Sequence, residues 1–182
     1  MRRRNAAALP RAGQGFALRA SAAALAALGW LFLTACGSPR VIPVTSDLTL
    51  EQAKRQTQKT EREIAAFVPP EAVRATEHNE KGYLWSCREK GSYKWTGYFR
   101  VTYSAPVDIR TVLDQIAAEF RSRGQYEIRE STHDDGSPRL QIIGAFGEDY
   151  LVDENKAATS LEVTSYSPCF VLPEGAWPGS AF

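Results

Sequence analysis

PVDIRTVLDQIAAEF, at residues 106–120, carries the clearest helical pattern in this sequence. Its apolar side chains recur at intervals of three and four residues: Ile109, Val112, Leu113, Ile116, Ala117 and Phe120. Proline suits the first turn of a helix, and the glycine at position 124 suits the left-handed conformation that often follows one. We therefore predict a helix from Pro106 to Arg123, with an apolar stripe that lies on a sheet.

The segment just before this helix alternates as a half-buried strand does. The apolar set on one side is Trp95, Gly97, Phe99, Val101 and Tyr103, and mostly polar residues lie between them. This period of two predicts a strand with one face on a core and one face in water. Before it, we predict a short strand at 83–87 with Trp85 in the core, and an irregular loop at 71–82.

Four further strand patterns follow the helix. They lie at 126–130, 140–146, 150–152 and 160–166, and short turns such as His133–Gly136 separate them. Strands joined by short turns pair in antiparallel fashion. We therefore predict an α+β fold, an antiparallel sheet with helices packed on one face.

A more polar helix is predicted near the start of the domain, from Leu48 to Phe67. Thr49 and Gln52 have the spacing of a capping box, and two prolines at 69–70 would end the helix. Its middle, KRQTQKTERE, is wholly polar. We therefore expect this helix to lie on the surface and to pack mainly by its ends.

The first residues resemble an export signal that ends in a lipidation site. Five arginines and no acidic residue precede Cys36, and the segment 20–33 is apolar apart from one serine. The motif Leu-Thr-Ala-Cys at 33–36 is typical of a lipobox. We predict a cleaved lipoprotein signal peptide at 1–35, a lipidated Cys36, a tether at 36–46, and one domain at 47–182 with a Pro-rich tail. The protein would then be lipid-anchored at the extracytoplasmic face of the cell membrane.

The net charge of the predicted mature chain bears on which partners it can bind. Cleavage would leave 147 residues with 17 basic and 21 acidic side chains, a formal charge of −4. A mildly acidic surface disfavours nucleic acid and tight electrostatic binding to anionic lipid headgroups. The membrane is therefore expected to be reached through the lipid anchor.

The two remaining cysteines, Cys87 and Cys169, favour a disulfide. They form an even pair in an oxidising compartment. A metal pair or two reactive thiols are the alternatives, but there is no CxxC spacing, and neither His78 nor His133 adjoins a cysteine in sequence.

The sequence offers little for catalysis. It contains none of the G-x-S-x-G, S-x-x-K or H-E-x-x-H motifs and no Gly-rich phosphate loop. His133 lies beside two aspartates and His78 beside glutamates, and either group could hold a cation loosely. Exposed loop polarity explains both groups better, so we predict no enzyme activity, no cofactor and no metal. Tyr98 and Trp177 are the candidate partner contacts.

The lipobox, the Cys87 segment, the 106–120 helix and the ending SPCFVLP together resemble the LppA-type lipoproteins of mycobacteria and related actinobacteria. The resemblance covers roughly residues 83–178 and the lipobox. That family is membrane-anchored and of unknown function. The resemblance therefore implies location, fold and a Cys87–Cys169 disulfide, and it transfers no active site.

Three functions follow from these patterns. The first is a non-catalytic binding or assembly module of the cell envelope, with an envelope protein as partner. The alternative is a carrier or sensor of an apolar, lipid-like ligand held between helix and sheet. An unrecognised hydrolase is the third, and it would need a cleft that brings His78 or His133 to a nucleophile.

Overall fold

The computed structural model describes residues 48–182. These form two helices, eight strands and one 3-10 turn at Pro70–Ala72. The helices are α1 (Leu50–Ala65) and α2 (Ile109–Ser122), and the strands are β1 (Val73–His78), β2 (Leu84–Ser86), β3 (Ser92–Tyr103), β4 (Tyr126–Thr132), β5 (Pro138–Gly144), β6 (Asp149–Glu154), β7 (Ser160–Tyr166) and β8 (Phe170–Val171).

The strands form one antiparallel sheet in the order β1-β3-β7-β6-β5-β4. The short strands β2 and β8 both pair with the first residues of β3, before β7 begins to pair with it at Thr96. The β2–β3 hairpin therefore projects beyond the main sheet. The predicted α+β class with an antiparallel sheet is confirmed.

Both helices cover the same face of the sheet. Ile64 of α1 and the stripe of α2 belong to one buried cluster with Val101 of β3, Ile142 of β5 and Val163 of β7. A smaller cluster lies beside it, where Leu50 and Ala53 of α1 pack with Trp95 and Phe170. The helix stripe predicted from sequence thus lies on the sheet as expected.

Helix α2 begins later than its proline suggests. Asp108 is the N-cap, and its carboxylate accepts a hydrogen bond from the Thr111 amide at 3.3 Å, so the first helical residue is Ile109 and not Pro106. Helices commonly start at such an acidic cap. At the other end Gly124 has φ +71, the left-handed conformation predicted for it.

Helix α1 differs from expectation in its middle. The capping box of Thr49 and Gln52 is present. However, Thr57, Thr60 and Glu61 are buried against the sheet, so the helix packs along its length and not mainly by its ends. These three polar residues lie on the same face of α1 as Leu50 and Ala53, because residues three or four positions apart share one side of a helix.

Two predictions before β3 are wrong. Part of the expected loop at 71–82 is β1, which pairs with the second half of β3 as an exposed edge strand. Apolar and polar residues do not alternate along β1, because both faces of this edge strand are largely exposed to water and neither packs against the core. Trp85 is 59% exposed and not in the core, since it lies opposite Lys94, on the side of β3 that the helices leave uncovered.

The tail after β7 closes the smaller cluster. Cys169 is joined to Cys87, and β8 follows at once. The last residue returns to the start of β2: Phe182 and Gly82 exchange two backbone hydrogen bonds, and the indole of Trp95 donates to the Phe182 carbonyl at 3.0 Å.

The molecule has two distinct ends. Because Leu50 and Ala53 pack near the start of β3 and Ile64 joins the main cluster, α1 runs alongside β3 in the same direction. We call the end where α1 and β3 begin the entry end. The turns 133–137 and 155–159 lie at the opposite end, which we call the far end.

Candidate functional site

The side of the sheet opposite the two helices, which we call the open face, is the candidate binding surface of the described residues. It consists of the residues that alternate with the core on each strand. They are Lys94, Thr96, Tyr98, Arg100 and Thr102 on β3, Glu162, Thr164 and Tyr166 on β7, Asp149, Leu151 and Asp153 on β6, and Arg139, Gln141 and Ile143 on β5.

Arg100 joins three strands near the middle of this face. Its guanidinium donates to Glu162 on β7 at 3.0 Å and to Glu77 on β1 at 3.3 Å, and it lies over the Tyr98 ring at 5.1 Å. Burial, followed by the neighbouring Glu162 carboxylate, raises the pKa of Tyr98 to about 12. The phenol therefore stays protonated at neutral pH.

A second set of paired charges lies towards the far end. Arg139 binds Asp153 through two hydrogen bonds of 2.8 and 2.9 Å, and His133 Nε2 contacts the same carboxylate at 2.8 Å. Bidentate pairs of this kind hold both side chains in one orientation. The charges of the open face are therefore presented in a fixed pattern.

Aromatic side chains occupy the entry end of the same face. Tyr83 and Trp85 lie opposite Thr96 and Lys94, and the Lys94 ammonium sits 4.2 Å from the centre of the Tyr166 ring. Tyr83 is 67% exposed. This part of the face combines large exposed rings with a cation.

The candidate residues from the sequence fall in different places. Tyr98 is half-buried at the centre of the open face, whereas Trp177 is 72% exposed in the tail at the entry end. Cys87 and Cys169 form the disulfide that the sequence favoured. Cys36, the signal peptide and the tether lie outside the described residues.

The two histidines do not assemble a catalytic group within residues 48–182. His78 is exposed at the edge strand and stacks on Phe99. His133 borders a cleft of about 430 Å³, but the nearby Ser137 hydroxyl donates to Asp135 at 2.6 Å and is not bonded to the imidazole. In this part of the chain no three His, Cys, Asp or Glu side chains are placed to hold a metal ion.

Sequence reasoning missed a buried carboxyl group beneath α1. Glu61 is 1% exposed and accepts a hydrogen bond from the Ser165 hydroxyl on β7. Gly97 makes room for it, because a Cβ at that position would lie 2.1 Å from Glu61 Oε1. Burial raises the pKa of Glu61 to about 7. The only signal was its spacing from Ala53, Thr57 and Ile64, which places it on the buried stripe.

Comparison with known proteins adds little. No family model matches the chain, and no curated protein matches it. One similar solved structure is the crystal structure of a DUF4853 family protein from Actinomyces odontolyticus, at 12% identity and a TM-score of 0.46, covering 78% of this chain and 80% of that chain. A likeness at that level bears on neither function nor site. The resemblance to LppA-type lipoproteins stays a prediction.

Neither helix of the described region is both long and apolar enough to cross a membrane.

Proposed function

We propose that this protein is a lipid-anchored lipoprotein of the cell envelope that acts as a non-catalytic binding module on the extracytoplasmic face of the membrane. Cys36 carries the anchor, and the open face binds a protein partner. The binding of a protein partner is supported by the open face itself, where ion pairs between neighbouring strands hold the charged side chains in place.

The size of the open face suits a protein. Six strands spaced about 4.8 Å apart, each seven or so residues long, give roughly 600 Å² of flat surface. A standard interface covers about 800 Å² on each partner. The open face by itself therefore offers about three quarters of that area.

The chemistry of the open face also favours a protein over a small molecule. Arg100 and Arg139 are already paired with carboxylates on their own sheet, so they form a fixed pattern of both signs and no single concave site. Such patterns select a partner by complementary charge and register more than they add affinity. Tyr98 at the centre offers a rigid ring of the kind enriched at interfaces.

The carrier of an apolar ligand is less well supported. Ile116 and Phe120 of α2 are fully buried against the sheet, so the helix–sheet interface is filled where they lie. The cavity beside α2 and β4–β5 measures about 310 Å³, and Arg110, Asp114 and Glu130 contribute to its lining. Apolar ligands prefer pockets with few charges.

Photocrosslinking in intact cells tests the proposal. A photoreactive phenylalanine analogue replaces Tyr98 in the lipidated protein, and the matched control carries it at Ala118, on the exposed side of α2. We expect one dominant protein adduct from position 98 and none from position 118. The same protein adduct from both positions, or adducts to lipid alone from position 98, would contradict the binding module.

A parallel measurement tests the anchor. Mass spectrometry of the mature protein is expected to find a diacylglycerol-modified Cys36, and a protein that begins at residue 37 is expected to leave the membrane fraction. A mature protein with an unmodified Cys36 that stays in that fraction without detergent would count against the lipid anchor.

A further inference from the structure

The large apolar side chains that are most exposed in residues 48–182 gather at the entry end. They are Tyr83, Trp85, Phe146, Val171 and Trp177. Tyr83 immediately precedes β2, and Trp85 is the middle residue of that strand. Val171 lies opposite Ser92 at the start of β3. Phe146 is in the β5–β6 turn, at the same end because Asp149 pairs with Tyr166, which in turn pairs with Thr96. Trp177 lies in the tail that returns to Gly82.

The chain also enters the domain at this end. Leu50, the first residue of α1, is buried with Trp95 and Phe170. Leu50 lies 14 residues after Cys36, a distance of at most about 50 Å when the chain is fully extended. A lipid on Cys36 would therefore hold the domain within that distance of the bilayer and would attach it through the entry end.

The side chains at the two ends differ in chemistry. Exposed charges of both signs accompany the aromatic residues at the entry end: the cations are Lys81, Arg88 and Lys90, and the acids are Glu80, Glu89 and Glu174. The far end instead presents Asp134, Asp135 and Glu154 around its cleft. Tryptophan and tyrosine with neighbouring lysine or arginine are the residues that settle at the boundary between lipid headgroups and acyl chains.

We propose that these five exposed residues, the entry-end patch, rest in the interfacial region of a glycerophospholipid bilayer. The domain would then sit on the membrane by this end, with the far end directed away from it. This inference rests on the lipid anchor of the proposed function, because one anchor near the patch raises its local concentration at the bilayer. It assigns Trp177 a lipid contact and leaves the centre of the open face to a protein partner.

Tryptophan fluorescence tests the contact. The predicted mature chain contains Trp85, Trp95 and Trp177, of which Trp95 is fully buried and serves as an internal reference. The lipidated protein is reconstituted in vesicles of phosphatidylcholine and phosphatidylglycerol, with plain or brominated acyl chains. Bromine quenches only nearby indoles, so we expect a loss of about a third or more of the emission in brominated vesicles.

Two variants make the result specific. Trp85→Phe with Trp177→Phe keeps both positions of the patch aromatic and leaves Trp95 as the one indole of the mature chain, and its emission is expected to be equal in plain and brominated vesicles. Asp134→Trp in that background adds a tryptophan at the far end, where the side chain is exposed. It too is expected to remain unquenched, because the far end faces away from the bilayer.

Each other outcome overturns the proposal. Equal emission of the lipidated wild type in both vesicles would exclude contact of the patch with lipid, and concentration-dependent dimers in the same samples would assign the patch to a second copy. Quenching of the Asp134→Trp variant as strong as that of the wild type would exclude the orientation. These outcomes leave the anchor standing, whereas an unmodified Cys36 in mass spectrometry would overturn the anchor and this inference together.

Discussion

At the scale of single residues, the carboxyl group of Glu61 is buried between α1 and the sheet. A carboxylate under a helix loses the solvation that keeps it charged, and the Ser165 hydroxyl restores only part of it. The protonated form is therefore favoured up to about pH 7. Gly97 is needed beneath it because any larger residue would meet its carboxyl oxygen.

This carboxyl group should make stability depend on pH. Its pKa is about 7 in the folded protein against an ordinary value of 4.5, so the folded state binds the proton more tightly. The stabilisation is complete below pH 4.5, declines as pH rises, and is gone above about 7. We expect urea unfolding to show a loss of up to about 3 kcal/mol over that window.

Glu61→Gln isolates this effect, because the amide stays neutral at every pH. The difference in free energy of unfolding between this variant and the wild type should change across the window, with the variant the more stable of the two at pH 8. Glu51→Gln is the matched control on the exposed side of the same helix, and its free energy of unfolding should depend on pH as the wild type's does. If Glu61→Gln also kept the wild-type pH dependence, Glu61 would be ionised in the folded protein.

At the scale of elements, the disulfide links the two short strands that extend β3. Cys87 follows β2 and Cys169 precedes β8, 82 positions later in the sequence. The smaller cluster around Trp95 lies under these strands. The bond therefore holds in place an end of the sheet that has few other strands beside it.

Loss of the disulfide should be a single event. Cys87→Ser and Cys169→Ser are each expected to lower the free energy of unfolding by a similar amount, at most about 4–5 kcal/mol for a loop of this length. The double variant should lower the free energy of unfolding little more than either single variant does. Guanidinium unfolding of all four proteins checks this, and additive losses would be incompatible with a bond between the two residues.

The elements also indicate how much the sequence could reveal. The sequence could predict β3, β7 and α2 because each has one buried side and one side exposed to solvent. Apolar residues therefore recur at a regular spacing along each of these elements. β1 was not, since an exposed edge strand is held by backbone hydrogen bonds to β3 that any residue except proline can make. The buried middle of α1 was hidden for a different reason: threonine and glutamate look like surface residues until partners such as Ser165 are known.

The candidate site was less accessible to sequence reasoning than the fold. Tyr98 was correctly placed on the polar side of β3, but its neighbours Glu77 and Glu162 lie on other strands. The exposure of Trp85 could not be read from its alternation, because a three-residue strand has too few positions to define a buried phase.

At the scale of the whole molecule, the two ends of the domain differ. The entry end carries the exposed rings, exposed charges of both signs and the start of the domain, and the far end carries the acidic cleft. On the membrane contact proposed above, this difference would give the domain a preferred direction. A partner on the open face would meet the same pattern of charges on every copy.

Hydrogen exchange should reveal this direction. On vesicles, the lipidated protein is expected to exchange more slowly at 81–90 and 172–180 than a protein that begins at residue 37 does in solution. The turns 133–137 and 155–159 should exchange equally in both. Protection at the far-end turns, with none at the hairpin and tail, would show that the domain faces the membrane by the other end.

The return of the last residue to Gly82 has a consequence for labelling. A fluorescent protein fused after Phe182 would be held at the entry end, beside Gly82 and the β2–β3 hairpin. An epitope inserted between Asp134 and Gly136 would instead project from the opposite end, in a turn whose side chains are exposed. With the membrane contact proposed above, antibodies on intact cells should reach the second label more readily than the first.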